Sequence, residues 1–119
     1  MKHPESDIQR AVVKYLNLKG VFYTASVAGI HTTKLQRCIH KGLGAKKGVP
    51  DLMIFEPHNG FKGLFLELKA KNGRSTPEQR EWVSELTKRG YKAVICPTFK
   101  TDTECFNWAI DIINEYMGI

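Results

Sequence analysis

Charged residues inside two strongly apolar runs constrain this chain more than any other feature of its sequence. Asp51 lies near the start of the run 50–55, and Glu67 and Lys69 lie within the run 63–69. Burying an ionised group among apolar side chains is costly, so such groups are normally paired or bind a metal ion. This stretch therefore predicts either a functional site or a poorly designed core.

The two runs predict adjacent antiparallel strands, because turn-forming residues at 57–60 join them over a short distance. The strands are expected at residues 49–55 and 63–70. Side chains alternate between the faces of a sheet, which places Glu67 and Lys69 on one face near the end of their strand. Asp51 begins the partner strand, so a hairpin brings all three side chains to the same edge of the sheet.

The remaining periodicity predicts an α/β fold in which helices flank this sheet. Helices are expected at residues 5–19, at 75–89 and from 101 onwards, with further strands at 21–25 and 91–96. The strand, helix and strand over residues 63–96 predict a right-handed crossover between parallel strands. We therefore expect a single domain, residues 1–119, with a mixed four-stranded sheet in the order α-β-β-β-α-β, followed by a C-terminal helix.

Two of the predicted helices begin their core-facing stripe with polar residues. Glu5 and Gln9 extend the apolar stripe of the first helix towards its N-terminus. A first-turn acid is also what the helix dipole favours. Gln79 leads the stripe of the second helix, but Thr76 and Gln79 also fit a capping box. The spacing leaves these alternatives open.

The last helix is apolar around more than one face. Its predicted core stripe consists of Phe106, Ala109, Ile110 and Ile113. The apolar residues partly off that stripe are Trp108, Ile112 and Tyr116. This extra apolar surface indicates either a subunit interface or the second helical cover that a small sheet needs.

The segment from residue 26 to residue 48 carries positive charge and no acid. We expect a long irregular connection, with at most a short helical turn near residues 33–39. Its candidate phosphate-binding cations are Lys34, Arg37, Lys41, Lys46 and Lys47. A solvated loop is one interpretation. We favour an arm that binds DNA phosphates, because the charge has one sign, the segment ends beside Asp51 and the formal net charge of +6 favours a polyanionic partner.

Other features argue against whole classes of protein. Three cysteines without tandem spacing predict a reducing compartment rather than a disulfide framework. Neither a membrane span nor a signal peptide is expected, because the long apolar runs that these require are missing. Cys38-x-His40 lacks the second pair of ligands that a zinc site needs, and there is no phosphate-binding Gly-Lys-Ser/Thr loop.

Asp51 and Glu67, with Glu5 as a third acid, predict a pocket of hard oxygen ligands at the sheet edge. Such ligands suit Mg²⁺ or Mn²⁺. Lys69 reaches the same volume, where it can orient or help to deprotonate a water molecule and then face charge developing on a phosphate oxygen. The predicted reaction is metal-dependent phosphodiester hydrolysis. A simple ion pair between Glu67 and Lys69 would not explain why Asp51 reaches the same edge.

At this point the motifs become recognisable. Gly48-Val49-Pro50-Asp51, then Glu67-Leu68-Lys69, then Gly73, Ser75 and Gln79 resemble the PD-(D/E)XK nucleases, and more closely the short stand-alone form of the VRR-NUC family. The resemblance runs from Glu5-x-x-x-Gln9 to the final helix and implies a restriction-endonuclease-like core. The metal ligands it implies are Asp51, Glu67, the backbone carbonyl of Leu68 and Glu5. The catalytic-site residues it implies are Asp51, Glu67, Lys69, Glu5 and Gln79.

Short stand-alone members of this family are similar to Holliday-junction resolvases and act as homodimers on branched DNA. The resemblance therefore implies a structure-selective, Mg²⁺- or Mn²⁺-dependent endodeoxyribonuclease that works as a homodimer, for example on four-way junctions. It also implies a cytoplasmic protein of viral or bacterial origin, including a phage protein acting in its host. Two alternatives remain open. One is a DNA-binding module whose nuclease core has lost activity, and the other is a sequence-specific nuclease of the restriction type.

Overall fold

The polypeptide alternates helices and strands in a computed structural model that describes residues 4–26 and 33–119. The helices are α1 (Pro4–Leu18), α2 (Lys34–Gly42), α3 (Pro77–Lys88) and α4 (Asp102–Met117). The strands are β1 (Tyr23–Ala25), β2 (Leu52–Ile54), β3 (Leu64–Glu67) and β4 (Lys92–Ile95). Apart from α2, which lies between β1 and β2, this is the predicted α/β order. The strands are shorter than predicted, and Asp51 and Lys69 lie just outside them.

The strands β1 to β4 form one mixed sheet in that order. β2 is antiparallel to both neighbours, with Leu52 opposite Ala25 of β1 and Leu66 of β3. β3 and β4 are parallel, with Glu67 opposite Ile95, as a crossover through α3 requires. The predicted hairpin and the predicted parallel pair are both confirmed.

A tight turn lies between β2 and β3, at the sheet edge opposite Asp51. Asn59 and Gly60 both have positive φ, 54° and 83°. The flanking His58 and Phe61 exchange backbone hydrogen bonds of 2.8 and 3.2 Å. Asn-Gly is the pair that most readily adopts positive φ in a two-residue hairpin turn. The turn predicted at residues 57–60 is therefore present.

Helices cover both faces of the sheet. The main core lies between the sheet and the helices α1 and α4, and alternate residues of β3, Leu64 and Leu66, belong to it. On the other face, Phe65 and Ala93 pack against Leu86 of α3. The alternation along β3 continues beyond Phe65, so Glu67 faces α3 rather than the main core. The functional groups of the hairpin thus point towards the start of α3.

The connection predicted to be irregular between residues 26 and 48 contains the nine-residue helix α2, which is longer than the short helical turn that the prediction allowed near residues 33–39. Thr33 caps this helix: its side chain accepts a hydrogen bond from the Gln36 amide, and the Gln36 side chain accepts one from the Thr33 amide. Thr33-x-x-Gln36 fits the same capping-box pattern as Thr76-x-x-Gln79 at the start of α3. It was the sequence signal for α2 that the prediction missed. Residues 27–32 of the predicted arm lie outside the described residues.

The buried stripe of α4 differs from the prediction. It consists of Cys105, Ala109, Ile113 and Tyr116. Tyr116 was expected off the stripe, but its hydroxyl donates a 2.6 Å hydrogen bond to the Glu56 carbonyl, and this satisfies its polar end inside the core. Trp108 and Ile112 pack partly against the main core, so the extra apolar surface of α4 serves as cover for the sheet.

Two further features of the chain concern membranes and cysteines. Within residues 4–26 and 33–119, no helix is long and apolar enough to cross a membrane. The cysteines are free thiols, with Cys38 exposed and both Cys96 and Cys105 buried. Burial raises the pKa of the Cys96 thiol to about 12, so this side chain remains a protonated core residue.

Candidate metal centre and active site

The charged residues of the hairpin meet at the sheet edge where β2 begins and β3 ends. The strand register pairs Leu52 with Leu66, which puts Asp51 opposite Glu67. A carboxylate oxygen of Asp51 accepts a 2.8 Å hydrogen bond from the backbone amide of Leu68. Asp51 therefore reaches the predicted edge although it precedes β2, and the backbone of the neighbouring strand fixes its side chain.

Three carboxylates converge at this edge. One oxygen each from Glu5, Asp51 and Glu67 lies within 4.8 Å of the other two. Glu5 is exposed, Asp51 is half-buried, and Glu67 is buried with 3% of its surface exposed. Glu5 comes from the first turn of α1, whose N-terminus reaches the sheet edge. If Glu5 served only to complement the helix dipole, its carboxylate would not need to lie beside the other two acids.

Burial raises the pKa values of all three acids, and repulsion by Asp51 adds to the effect at Glu5 and Glu67. Burial raises the pKa of Glu67 to about 9, and the negative charge of Asp51 adds to the effect. Burial also raises the pKa of Asp51, against the opposing effects of the Leu68 amide and a hydrogen bond with Glu67. The pKa of Glu5 is raised by the protein around its carboxylate and by the charge of Asp51. Without a cation, Glu67 therefore holds a proton at neutral pH.

This donor set fits a hard divalent cation. Carboxylate oxygens are the ligands that Mg²⁺ and Mn²⁺ prefer, and three of them lie within 4.8 Å of one another. A divalent cation would stabilise the ionised carboxylates against burial and mutual repulsion, and its binding would release the proton that Glu67 holds. The acidic group of Glu5, Asp51 and Glu67 could therefore bind a metal ion.

The backbone of Leu68 also faces the three acids. The Glu67 carbonyl accepts a 2.9 Å hydrogen bond from the Cys96 amide on the β4 side. The Leu68 amide points the other way, to Asp51 on the β2 side. The amide and carbonyl of one extended residue lie on the same edge of its strand, so the Leu68 carbonyl shares that direction. Its role as a metal ligand stays a prediction.

Gln79 joins Lys69 and Glu67 in one hydrogen-bonded network. Its side-chain oxygen accepts a 2.8 Å hydrogen bond from Lys69 Nζ, and its side-chain nitrogen donates a 3.0 Å hydrogen bond to Glu67 Oε2. Lys69 Nζ lies 3.6 Å from the same glutamate oxygen. The side chains of Glu67 and Lys69 are only 4% and 8% exposed. The ammonium group is therefore held beside the carboxylates and away from bulk water.

The same glutamine caps α3. Its side-chain oxygen accepts a 2.9 Å hydrogen bond from the Thr76 amide, and its own amide donates a 3.2 Å hydrogen bond to the Thr76 hydroxyl. The sequence left open whether Gln79 was a cap or a site residue. Gln79 has both roles, because its side-chain oxygen accepts hydrogen bonds from the Thr76 amide and from Lys69 Nζ. The start of α3 is thereby tied to the position of Lys69.

Gly48 allows the loop before Asp51 to press against the first turn of α3. Its φ is +85°, and a Cβ there would lie only 2.6 Å from the nearest backbone atom of α3. Glycine is the residue that tolerates both this φ and this approach. Trp82 Nε1 donates a 2.8 Å hydrogen bond to the Lys47 carbonyl and fixes the same loop. These contacts set the position of Asp51 relative to Gln79.

The predicted phosphate-binding cations fall into two groups. Lys34, Arg37 and Lys41 lie on one face of α2, because residues three and four apart align on a helix. Lys46 and Lys47 follow that helix and line a cavity of about 550 Å³ beside α3. All five are exposed. The first group therefore lies on a regular element rather than on an irregular arm.

The opposite face of α2 is an exposed apolar stripe. Leu35, Ile39 and Leu43 are 71%, 52% and 82% exposed and follow one another at four-residue spacing. This stripe was not predicted, because the glycines and lysines of the segment indicated an irregular loop. The spacing of these three residues was the signal that could have revealed it.

Comparisons with known proteins agree with this fold. A family model described as the VRR-NUC domain matches residues 3–99, a span that contains all three acids, Lys69 and Gln79. A solved structure titled "VRR_NUC domain protein" has the same fold, with a TM-score of 0.71 and 23% sequence identity over 99% of this chain and 91% of that chain. No curated protein matches the chain. Because the family match spans most of the sequence, the chain belongs to the VRR-NUC domain family, whose nuclease-type domains process DNA.

Proposed function

We propose that this protein is a Mg²⁺- or Mn²⁺-dependent, structure-selective endodeoxyribonuclease that hydrolyses phosphodiester bonds in branched DNA, including four-way junctions. One observation carries the proposal: three carboxylates converge within 4.8 Å, and an ammonium group lies 3.6 Å from one of them. In a family of nuclease-type domains, this combination supports metal-assisted attack of water on a phosphodiester.

Glu5, Asp51, Glu67 and the Leu68 carbonyl are the proposed metal ligands. When bound, the cation would supply a Lewis acid for a phosphate oxygen and lower the pKa of a water molecule. The three acids would hold that ion in place. Because Glu5 is the exposed member of the group and Glu67 the buried one, a phosphate would approach from the Glu5 side.

Lys69 is the proposed group for positioning water and stabilising charge. Its Nζ donates one hydrogen bond to Gln79, and an ammonium group has two further donors. One donor can orient the attacking water, and the other can stabilise the negative charge that develops on a phosphate oxygen. Since Gln79 and Glu67 already hold the ammonium group, it needs little reorganisation as that charge develops.

A second copy of the chain is the proposed partner of α2. Its apolar stripe of Leu35, Ile39 and Leu43 is exposed, and a helix of nine residues is marginally stable in water without a partner. Lys34 and Lys41 lie on the opposite face. Pairing two apolar stripes would stabilise both helices and leave two basic faces free for the arms of a DNA junction.

Light scattering tests the homodimer. We expect twice the mass of the chain for the wild type and the mass of one chain for the double variant Ile39→Gln, Leu43→Gln. Leu18→Gln is the matched control, because Leu18 is an apolar residue of α1 that is 77% exposed. A wild-type protein that is monomeric at micromolar concentration would contradict this assignment.

The cysteines support a reducing intracellular compartment. Cys38 is exposed and free, a state that a reducing environment preserves. We therefore include in the proposal a cytoplasmic location, with the cytoplasm of a bacterial host as the site of action if the protein is phage-encoded.

A panel of labelled DNAs tests the reaction. It contains linear duplex, single-stranded, splayed, flap and four-way substrates, each incubated with Mg²⁺, with Mn²⁺ and with a chelator. We expect metal-dependent cutting that is faster on branched than on linear DNA, and Asp51→Asn should abolish it. Glu115→Gln, an exposed acid at the far end of α4, is the control and should cut like the wild type.

The outcomes of this panel separate the alternatives. A folded protein that cuts none of these substrates with either metal would contradict nuclease activity and favour a DNA-binding module. Discrete fragments from a long linear duplex would instead favour a sequence-specific nuclease. Cutting by Asp51→Asn at the wild-type rate would contradict the assigned site.

A further inference from the structure

A second group of cations follows the metal centre along the same sheet edge. The strand order at this edge runs from β1 and β2, past Asp51 and Glu67, to the end of β4. The segment containing α2 connects β1 to β2, and its last cations, Lys46 and Lys47, line a cavity beside α3 just before Asp51. The loops after β3 and β4 begin further along the strand order, beyond Asp51. They carry Lys71, Arg74 and Lys100, and we name the surface formed by these three residues the ledge.

Hydrogen bonds join the two loops of the ledge to each other. The Asn72 amide donates to the Phe99 carbonyl at 2.8 Å. The Thr98 hydroxyl donates to the Gly73 carbonyl, also at 2.8 Å. The loop after β3 and the loop after β4 therefore form one connected surface beside the metal centre.

The ends of the ledge are attached to the helices that follow it. The Lys71 amide donates a 2.8 Å hydrogen bond to a carboxylate oxygen of Asp102, at the start of α4. Arg80 of α3 donates hydrogen bonds of 3.0 and 2.8 Å to the carbonyl and hydroxyl of Ser75. The backbone that carries the cations is thus fixed relative to α3 and α4.

Gly73 brings the ledge into contact with Lys69. A Cβ at this position would lie 3.1 Å from Lys69 Cβ and 3.3 Å from Lys69 Cδ. The loop backbone therefore packs on the aliphatic part of the Lys69 side chain. Arg74 follows directly, so the ledge begins within one residue of the contact with Lys69.

The cations of the ledge are available for a ligand. All three are exposed, and among the residues that the structure describes none of them forms an ion pair. The two acids that follow Lys100 have structural partners: Asp102 accepts from the Lys71 amide, and Glu104 accepts a 2.9 Å hydrogen bond from the Thr101 hydroxyl. Exposed cations on a fixed backbone suit the phosphates of DNA.

We propose that the ledge binds the DNA backbone on one side of the cleaved phosphate, while Lys46 and Lys47 bind it on the other side. This inference rests on the proposed nuclease function and extends it to the path of the DNA across the metal centre. The ligand is the phosphodiester backbone, contacted without base specificity, so the ledge contributes affinity and register rather than sequence preference.

The salt dependence of DNA binding tests the ledge without requiring cleavage. All proteins carry Asp51→Asn. The ledge variant is K71Q/R74Q/K100Q. The control removes the same charge from exposed residues elsewhere and is K14Q/K19Q/K62Q. Each lost phosphate contact should reduce the slope of log K against log salt by about 0.9, so we expect a reduction of up to about 2.7 for the ledge variant.

We expect the ledge variant to lose at least tenfold more affinity than the control at moderate salt. Equal losses for the two triple variants, or an unchanged slope for the ledge variant, would overturn the proposal. Circular dichroism of each variant confirms that the change in binding does not reflect unfolding. Every protein in this comparison carries Asp51→Asn, so none is expected to cut the DNA. The comparison therefore tests DNA binding by the ledge even if the wild type proves inactive as a nuclease.

Neutral methylphosphonate linkages locate the contacts. They are placed singly on either side of the mapped cleavage position, and binding is measured for the wild type, the ledge variant and K46Q/K47Q. We expect the wild type to lose affinity for linkages on both sides. The ledge variant should become insensitive on one side, and K46Q/K47Q on the other. If both variants become insensitive on the same side, the two-sided path is wrong. If the wild type cuts no DNA, the proposed function fails, while the salt comparison still tests the ledge.

Discussion

The candidate metal centre, with Glu5, Asp51, Glu67, Lys69 and Gln79, and the helix α2 are stabilised in opposite ways. In the metal centre, Gln79 contacts Glu67, Lys69 and Thr76, and the Leu68 amide fixes Asp51. In α2, every residue is exposed, and the helix begins with its own capping box. The candidate metal centre is thus held by several independent tertiary contacts, whereas α2 buries none of its side chains. Chemistry requires groups fixed to fractions of an ångström, whereas phosphate binding tolerates a surface that can adjust.

The largest expected effect is on the cleavage rate. The test compares Lys69, beside the three acids, with Lys47 in the loop after α2. Lys69→Met should reduce the rate by about 100- to 10,000-fold, because it removes the positioned ammonium group while keeping an unbranched side chain. Lys47→Met removes the same charge from an exposed position and should weaken binding only. Single-turnover cleavage at saturating DNA measures both. Comparable losses in the two variants would contradict the contrast between these regions.

The next effect compares two glycines with positive φ. Gly48→Ala should lower the free energy of unfolding by about 2–3 kcal/mol, because its Cβ would meet the backbone of α3 at 2.6 Å as well as requiring a strained φ. Gly44, just after α2, has φ of +100°, and a Cβ added there would meet nothing within 4 Å. Gly44→Ala should therefore cost about 1 kcal/mol, for φ alone. Urea unfolding measures both, and equal losses would mean that the approach to α3 is unimportant.

The raised pKa of Glu67 predicts a dependence of stability on pH. Its pKa is about 9 in the folded protein and 4.5 in its ordinary state, so the folded state binds the proton more tightly. The stabilisation is complete below pH 4.5 and is lost as pH rises towards 9. Relative to Glu67→Gln, the metal-free wild type should lose roughly 1–3 kcal/mol between about pH 5 and pH 9. Urea unfolding with chelator at several pH values measures this difference. If the free energies of unfolding of the two proteins changed in parallel with pH, the raised pKa of Glu67 would be contradicted.

The smallest effect compares the capping threonines of α3 and α2. Thr76→Ala should lower the free energy of unfolding by about 1 kcal/mol, because it removes the cap of a helix packed on the sheet. Thr33→Ala removes the same bond from α2. In the monomeric background Ile39→Gln, Leu43→Gln, where α2 has lost its proposed partner, it should change global unfolding by less than about 0.3 kcal/mol, since the unpaired helix can fray without disturbing the core. Equal effects would show that α2 is coupled to the core.

The same difference explains what could be predicted from the sequence. The meeting of Asp51, Glu67 and Lys69 at one sheet edge was predictable, because these residues interrupt apolar runs, and strand alternation with hairpin direction brings them together. α2 was not identified, because the glycines and lysines around it resemble a loop more strongly than its short stripe resembles a helix. A nine-residue helix with no buried side chain leaves only the weak pattern of its cap and spacing.

Several contacts in the metal centre had no sequence signal. The hydrogen bond from the Leu68 amide to Asp51 uses a backbone group, which any residue except proline would supply. The close approach of Gly48 to α3 depends on the relative position of two elements that are distant in sequence. The sequence indicated two alternative roles for Gln79, a helix cap or a site residue, and could not show that it has both. The spacing identifies the cap, but it does not reveal that the side-chain oxygen also accepts a hydrogen bond from Lys69.

The central claim is that Glu5, Asp51 and Glu67 hold a divalent cation, and calorimetric titration with Mn²⁺ tests it most directly. We expect saturable binding by the wild type with release of protons, because a cation displaces the proton that Glu67 holds at neutral pH. Asp51→Asn and Glu67→Gln should each weaken binding at least tenfold, whereas the control Glu115→Gln should bind like the wild type. If the wild type binds no Mn²⁺, or if all four proteins bind it equally, the three carboxylates are not a metal centre.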